Sequence, residues 1–306
     1  SRGNPEAEYC LDHKLRFCSL PDLLREFFIR GKRCLVVSGT HGKTTTTSLL
    51  TWAFEHNGLN PSYLIGGIPL NFSQGARFTD SEWFIIEGDE YDTAFFDKRS
   101  KFVHYLPEVA IVNNVEFDHA DIFENLEAIK TSFKNFIRLV PRNGLLLGNG
   151  DDANLAPLLN VNHCPVKRFG LGEGCAIQAF NIRYGPTATE FELPSFKFHI
   201  NLLGEFILRN ALGVIAGNPE GAHESVARLE ADASNLEREP VGRLLDDRDG
   251  TRRTDLIRAH GVGARAVRAR GAPLHTSWIV TYSVVPSATT WKAGCLPSSK
   301  RMVSSA

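Results

Sequence analysis

Between the apolar run Cys34-Leu35-Val36-Val37 and the helix-compatible run Ser48-Leu49-Leu50-Thr51-Trp52-Ala53-Phe54 lies Ser38-Gly39-Thr40-His41-Gly42-Lys43-Thr44-Thr45-Thr46. Strand, glycine loop, lysine, hydroxyl and helix, in that order, form the layout of a phosphate-binding loop. The glycines let backbone N–H groups turn toward phosphate oxygens, and the helix N-terminus adds a favourable field for the anion. Lys43 is placed to reach the β- and γ-phosphates, and the Thr44 hydroxyl to ligate Mg²⁺. Val37 stands where the longer form of the loop has its first glycine, so the loop is a shortened version, Gly-Thr-His-Gly-Lys-Thr. This reading assigns nucleotide contacts to Gly39, Thr40, His41, Gly42, Lys43, Thr44 and Thr45; a plain turn is the alternative.

The surroundings favour an α/β sheet. Trp83-Phe84-Ile85-Ile86, Val109-Ala110-Ile111-Val112 and Leu145-Leu146-Leu147 are further short apolar runs, with helix-compatible stretches such as 126–139 between most of them. Buried parallel strands joined by crossover helices produce that alternation. From about Val166 to Leu203 the pattern turns to β-type alternation, as in Phe196-Lys197-Phe198-His199-Ile200. The expected fold is a mostly parallel sheet with an antiparallel β appendage.

The 306 residues suffice for two domains with a substantial core. A formal net charge of −1 exerts no overall pull toward nucleic acid or an acidic membrane surface. No apolar run reaches the roughly 18 residues of a transmembrane helix. The start, Ser1-Arg2-Gly3-Asn4-Pro5, has neither a signal-peptide core nor an initiator methionine and reads like the middle of a longer chain. Six cysteines without a C-x-x-C pair point to buried free thiols in a reducing cytoplasm rather than to zinc or a disulfide framework.

Composition breaks near residue 217. All 20 phenylalanines precede it, and the last ninety residues carry eleven arginines against two lysines. Ala264-Arg265-Ala266-Val267-Arg268-Ala269-Arg270-Gly271 has no sustained apolar period. An arginine-rich arm for nucleic acid is one reading, but Asp246, Asp247 and Asp249 interrupt it. A solvated, poorly ordered tail is the expectation, and a segment translated out of frame would carry the same signature.

Two further stations follow strands. Glu87-Gly88-Asp89-Glu90-Tyr91-Asp92 sets four carboxylates within six residues directly after Trp83–Ile86. They would repel one another unless a cation sits among them, and Mg²⁺ beside ATP fits at the strand ends where such sheets bind ligands. The alternative is a solvated acidic turn. Asn113-Asn114-Val115-Glu116-Phe117-Asp118-His119-Ala120-Asp121 follows the next strand, and His119 offers a neutral imidazole for a second metal ion. A satisfied surface or core histidine is the competing reading.

In this order and spacing the three stations resemble the ATP-dependent Mur ligases of peptidoglycan synthesis. The resemblance sharpens at Gly66-Gly67-Ile68-Pro69-Leu70-Asn71-Phe72 and across 90–105, covers roughly residues 1–216, and points to the murein-recycling branch. It implies UDP-N-acetylmuramate and a murein tripeptide as partners, ATP and Mg²⁺ as cofactors, and a cytoplasmic enzyme that binds neither nucleic acid nor membrane. A muramate–alanine ligase and a catalytically incomplete ATP-binding fragment are the alternatives. The implied division is the end of a UDP-sugar domain over 1–30, the central ATP-binding domain over 31–216, and an atypical tail over 217–306 in place of the C-terminal ligase domain. In family terms Lys43 holds the ATP phosphates, Thr44 and Glu87 bind one Mg²⁺, and His119 belongs to the second metal site; Lys43, Glu87 and His119 form the catalytic set. Asn210 matches the second asparagine of the adenine-side motif Gly-x-His-Asn-x-x-Asn, which here reads Gly204-Glu205-Phe206-Ile207-Leu208-Arg209-Asn210. Lys134, a candidate for the carbamoylated lysine of some relatives, reads as a solvent-facing helical residue.

Overall fold

The computed structural model describes residues 2–218 except 70, 119–121 and 195. The expectations for His119 and for the tail beyond 218 therefore lie outside the described residues.

The first elements are helical and owe their starts to capping. Asn4 accepts hydrogen bonds from the amides of Glu6 and Ala7 to open α1 (Pro5–Asp12), with Pro5 in the first turn where no N–H is needed. Ser19 and Asp22 form a reciprocal capping box on α2 (Leu20–Leu24), which runs on into a π-helical turn over Arg25–Ile29.

The sheet then begins with β1 (Arg33–Ser38), followed by α3 (Lys43–His56), β2 (Ser62–Leu64), β3 (Ala76–Arg77) and β4 (Trp83–Gly88). A small hairpin, β5 (Asp92–Ala94) and β6 (Asp97–Ser100), precedes β7 (Val109–Val112), α4 (Leu126–Ile137) and β8 (Leu145–Asn149). After these come β9 (Val166–Gly170), β10 (Ile177–Gln178), β11 (Phe180–Tyr184), β12 (Thr189–Leu193), β13 (Phe196–Ile200) and α5 (Glu205–Gly217). The main sheet has the order β10-β9-β8-β7-β1-β4-β2-β3. All its pairings are parallel except that of β2 with β3.

β1 is the strand from which the chain departs in both directions. It pairs with β4 on one side and β7 on the other, so the ends of β1 and β7 flank a topological switch point. Open α/β sheets take their ligands in the crevice at such a point. The loop Gly39–Gly42 and the stretch after β7 both emerge there.

Alternating residues of β1 feed two cores. Leu35 and Val37 pack with Phe54 of α3, Phe169, Leu212 of α5 and Phe191 of the three-stranded sheet. Cys34 and Val36 face the other way, toward Phe102 and toward Ile129, Phe133 and Phe136 of α4. Both faces are covered, which is why the parallel strands read as continuous apolar runs. Each fully buried phenylalanine contributes roughly 2–3 kcal/mol of transfer free energy.

The antiparallel appendage is smaller than its sequence pattern suggests. It comprises β11, β12 and β13, with Phe191 and Phe198 directly opposite and stacked at 4.9 Å. The stretch from Val166 does not belong to it: β9 extends the main sheet in parallel with β8. Alternation marks a half-covered strand but carries no information about the direction of its partner. The thiols also divide differently from expectation. Cys34 and Cys164 are buried, but Cys18 is exposed, because the segment between α1 and α2 leaves it uncovered. Lys134 is exposed on α4, as expected. Among the described residues no helix is long and apolar enough to cross a membrane.

Candidate nucleotide site

The loop between β1 and α3 is braced from the neighbouring strand. The Thr40 amide donates to the Asn114 carbonyl at 3.1 Å, and the His41 amide donates to Asn114 Oδ1 at 2.8 Å. Asn114 Nδ2 returns a bond to the His41 carbonyl, and the Thr40 hydroxyl bridges the backbone of Glu116. Asn113 Nδ2 reaches the buried Thr46 hydroxyl at 2.9 Å. Thr40 and His41 therefore spend their amides on scaffolding and do not turn them inward to phosphate. The His41 ring is exposed, 3.7 Å from Glu116. The paired asparagines at the switch point are the signal that sequence reasoning left unused.

What remains open is the helix start. Gly42 caps α3 with φ +79° and has no side chain to satisfy the first turn. The amides of Lys43, Thr44 and Thr45 thus have no intrahelical acceptor, and the helix dipole points at the same spot. Thr44 is exposed and Thr45 is half-buried at that end. Asn210 comes from α5 to lie against the loop: a Cβ on Gly42 would stand 2.7 Å from Asn210 Oδ1 and 3.1 Å from Phe206 Cζ. Asn210 is buried, and its Nδ2 has no hydrogen-bond partner among the described residues.

Lys43 folds back over the loop. Its ammonium donates to the carbonyls of Gly39 and Thr40, at 2.8 and 3.1 Å, and to both carboxylate oxygens of Glu90, at 2.8 and 3.1 Å. The acidic station is neutralised largely from within the chain. Glu90 pairs with Lys43, Asp89 with Lys101 at 2.7 Å, and Asp92 with Lys98 at 2.6 Å. This revises the expectation that a bound cation must separate all four carboxylates, since three lysines supply the charge, one of them 47 residues from its partner.

Glu87 is different. Its Oε2 accepts the Gly66 amide at 2.6 Å, while Oε1 is buried with no hydrogen-bond partner among the described residues. Burial pushes its carboxyl pKa up; the Thr44 hydroxyl, the Gly66 amide and the Lys43 charge oppose that rise, and Asp89 adds to it. Thr44 lies close enough to favour the ionised form but falls short of hydrogen-bond geometry with Oε1. Gly66 is held where a Cβ would be 2.3 Å from Glu87 Oε2, so the loop after β2 presses directly on this carboxylate. An unpartnered carboxylate oxygen beside an exposed hydroxyl is a donor set suited to a hard divalent cation.

A protein-family model, the Mur ligase middle domain, matches residues 37–217. The chain belongs to the Mur ligase family. The Mur ligase middle domain thus spans the phosphate loop, the carboxylate station and α5. The chain is 44% identical over 236 residues to the UDP-N-acetylmuramate–L-alanyl-γ-D-glutamyl-meso-2,6-diaminoheptandioate ligase of Haemophilus influenzae, covering 75% of this chain and 50% of the relative. The enzyme of the same name from Escherichia coli is 41% identical over 77% of this chain and 51% of its own length. The chain spans about half the length of the curated relatives it matches. Among solved structures, the corresponding ligase from Neisseria meningitides superposes with a TM-score of 0.67 at 40% identity, covering 74% of this chain and 75% of that one.

Proposed function

We propose that this chain is the nucleotide-binding part of an ATP-dependent ligase joining UDP-N-acetylmuramate to L-alanyl-γ-D-glutamyl-meso-diaminopimelate in the cytoplasm, in peptidoglycan recycling. The observation that carries the reading is the helix start at Lys43–Thr44 facing the unpartnered oxygen of Glu87. In this reading the free amides of α3 and the Lys43 ammonium hold the phosphates, and Asn210 closes the loop from behind. Thr44 and Glu87 would hold Mg²⁺, which when bound neutralises phosphate charge; His119 is assigned to a second metal position by the family resemblance.

The reaction begins with attack of the muramic lactyl carboxylate on the γ-phosphate, giving an acyl phosphate and ADP. The peptide α-amine then displaces phosphate and forms the amide. Phosphoryl transfer of this kind depends on positioning and charge neutralisation, not on a protein nucleophile. The braced loop and Lys43 supply both.

Equilibrium titration with MgATP tests the site: saturable binding that is lost in a folded Lys43→Ala variant supports it, and binding unchanged by that substitution rejects it. Nucleotide binding without ligation is the second reading. Phosphate release that depends on both UDP-N-acetylmuramate and tripeptide separates the two. Replacing the tripeptide by L-alanine separates the murein-recycling reading from a muramate–alanine ligase.

A further inference from the structure

Four oxygens of the chain surround the Lys43 ammonium: the carbonyls of Gly39 and Thr40 and both carboxylate oxygens of Glu90. An ammonium has three N–H donors, so these contacts saturate it. Glu90 is the one partner that carries a charge and the one that comes from another element. It is 2% exposed, and Lys43 is 17% exposed, so water and salt screen the pair weakly. Its backbone is tied on both sides: the Phe102 amide donates to the Asp89 carbonyl and the Lys101 amide to the Tyr91 carbonyl. The backbone at Glu90 is therefore anchored if the lysine swings toward a ligand at the helix start.

We propose that Glu90 is a positioning residue that latches Lys43 over the loop and competes with polyphosphate for its ammonium. The inference rests on the nucleotide-site reading above and adds to it a residue that sets affinity through Lys43. Phosphate engages Lys43 by exchanging one of these contacts for a phosphate contact, and exchange of the charged carboxylate contact puts part of the binding free energy into opening the latch. Removing the charge while keeping the shape frees the lysine.

The experiment compares MgATP and AMP titrations of the wild-type chain and of Glu90→Gln, with a thermal melt of each to confirm folding. The Gln variant is expected to bind MgATP on the order of tenfold tighter, equivalent to one charge-assisted hydrogen bond no longer contested. AMP, which lacks the phosphates that Lys43 serves, should bind both proteins alike; a purely structural role for Glu90 would shift both ligands together. Equal or weaker MgATP binding by folded Glu90→Gln overturns the latch. Should Glu90→Gln not fold, Glu90→Asp carries the test: its shorter reach should also tighten MgATP binding, and wild-type or weaker affinity overturns the proposal. A wild-type chain that does not bind MgATP fails at the earlier step and removes the nucleotide reading itself.

Discussion

The backbone of Gly42 and the side-chain amide of Asn210 lie so close that a Cβ at position 42 would stand 2.7 Å from Asn210 Oδ1. The same glycine holds φ +79°, a conformation that costs an L-residue about 1 kcal/mol or more. Two separable penalties therefore fall on Gly42→Ala, and its expected destabilisation is about 2–3 kcal/mol. Denaturant unfolding checks this. Adding Asn210→Ala should recover the part due to the clash and leave the part due to φ; full recovery would show that φ contributes nothing.

Lys43 serves both stability and binding, and a pair of substitutions separates the two roles. Lys43→Met takes the ammonium away from the buried Glu90 carboxylate, at an expected cost of about 2–4 kcal/mol. Lys43→Met with Glu90→Gln removes both charges and should regain most of that stability while MgATP binding stays lost. Stability that remains low in the double variant would mean that the ion pair is not what Lys43 contributes.

Glu87 bears on stability with the opposite sign. Its folded pKa lies above the unfolded value, so its protonated form is favoured on folding; that advantage is present below the unfolded pKa and is lost as pH rises through the folded one. At neutral pH the ionised side chain opposes folding. Glu87→Gln is therefore expected to raise the melting temperature by a few degrees, corresponding to about 1 kcal/mol. The same variant should weaken Mg²⁺-dependent ATP binding about tenfold or more. Unchanged Mg²⁺ dependence would remove Glu87 from the cation site.

His104 ties α2 to the small hairpin. The ring is buried, with Nδ1 3.1 Å from Asp22 and Nε2 3.3 Å from Asp97, the latter contact poorly aligned for a hydrogen bond. Burial holds its pKa below the ordinary histidine value; Asp22 and Asp97 oppose this, while Arg99 and Arg25 reinforce it. A depressed folded pKa means that the stabilisation is complete above the unfolded value of about 6.5 and is lost as pH falls through the folded one. Asp97, held at about 2 mainly by Arg99, adds a second loss below the ordinary carboxylate range. Thermal melts from pH 8 to pH 5 should show a decline that Asn in place of His104 flattens. A His104→Asn variant with the wild-type slope would place the decline elsewhere.

Much of this was legible in the chain itself, for a local reason. The loop at 39–44 announces itself because strand, glycine, lysine and helix are consecutive, and the runs at 83–86 and 109–112 are apolar throughout because both faces of their sheet are covered. The partnerships were not legible. Nothing near Lys43 in sequence names Glu90, 47 residues away, or Asn210 on a helix beyond the antiparallel strands. Asp89 and Asp92 looked like cation ligands because their lysine partners are brought in by the turn of the small hairpin.

Local order along the chain thus pointed to the kind of site: a shortened phosphate loop on a parallel sheet, followed by acidic and histidine stations at strand ends. The tertiary structure decided how each station is used. Parallel pairing of β1 with β4 and β7 sets residues that are distant in sequence side by side at the switch point. Burial then sorts them. Charges that found a lysine became part of the scaffold, and Glu87 kept an unpartnered oxygen facing the helix start. Electrostatic pairing acts over a few ångströms in space, and sequence spacing records such distances only within a single element.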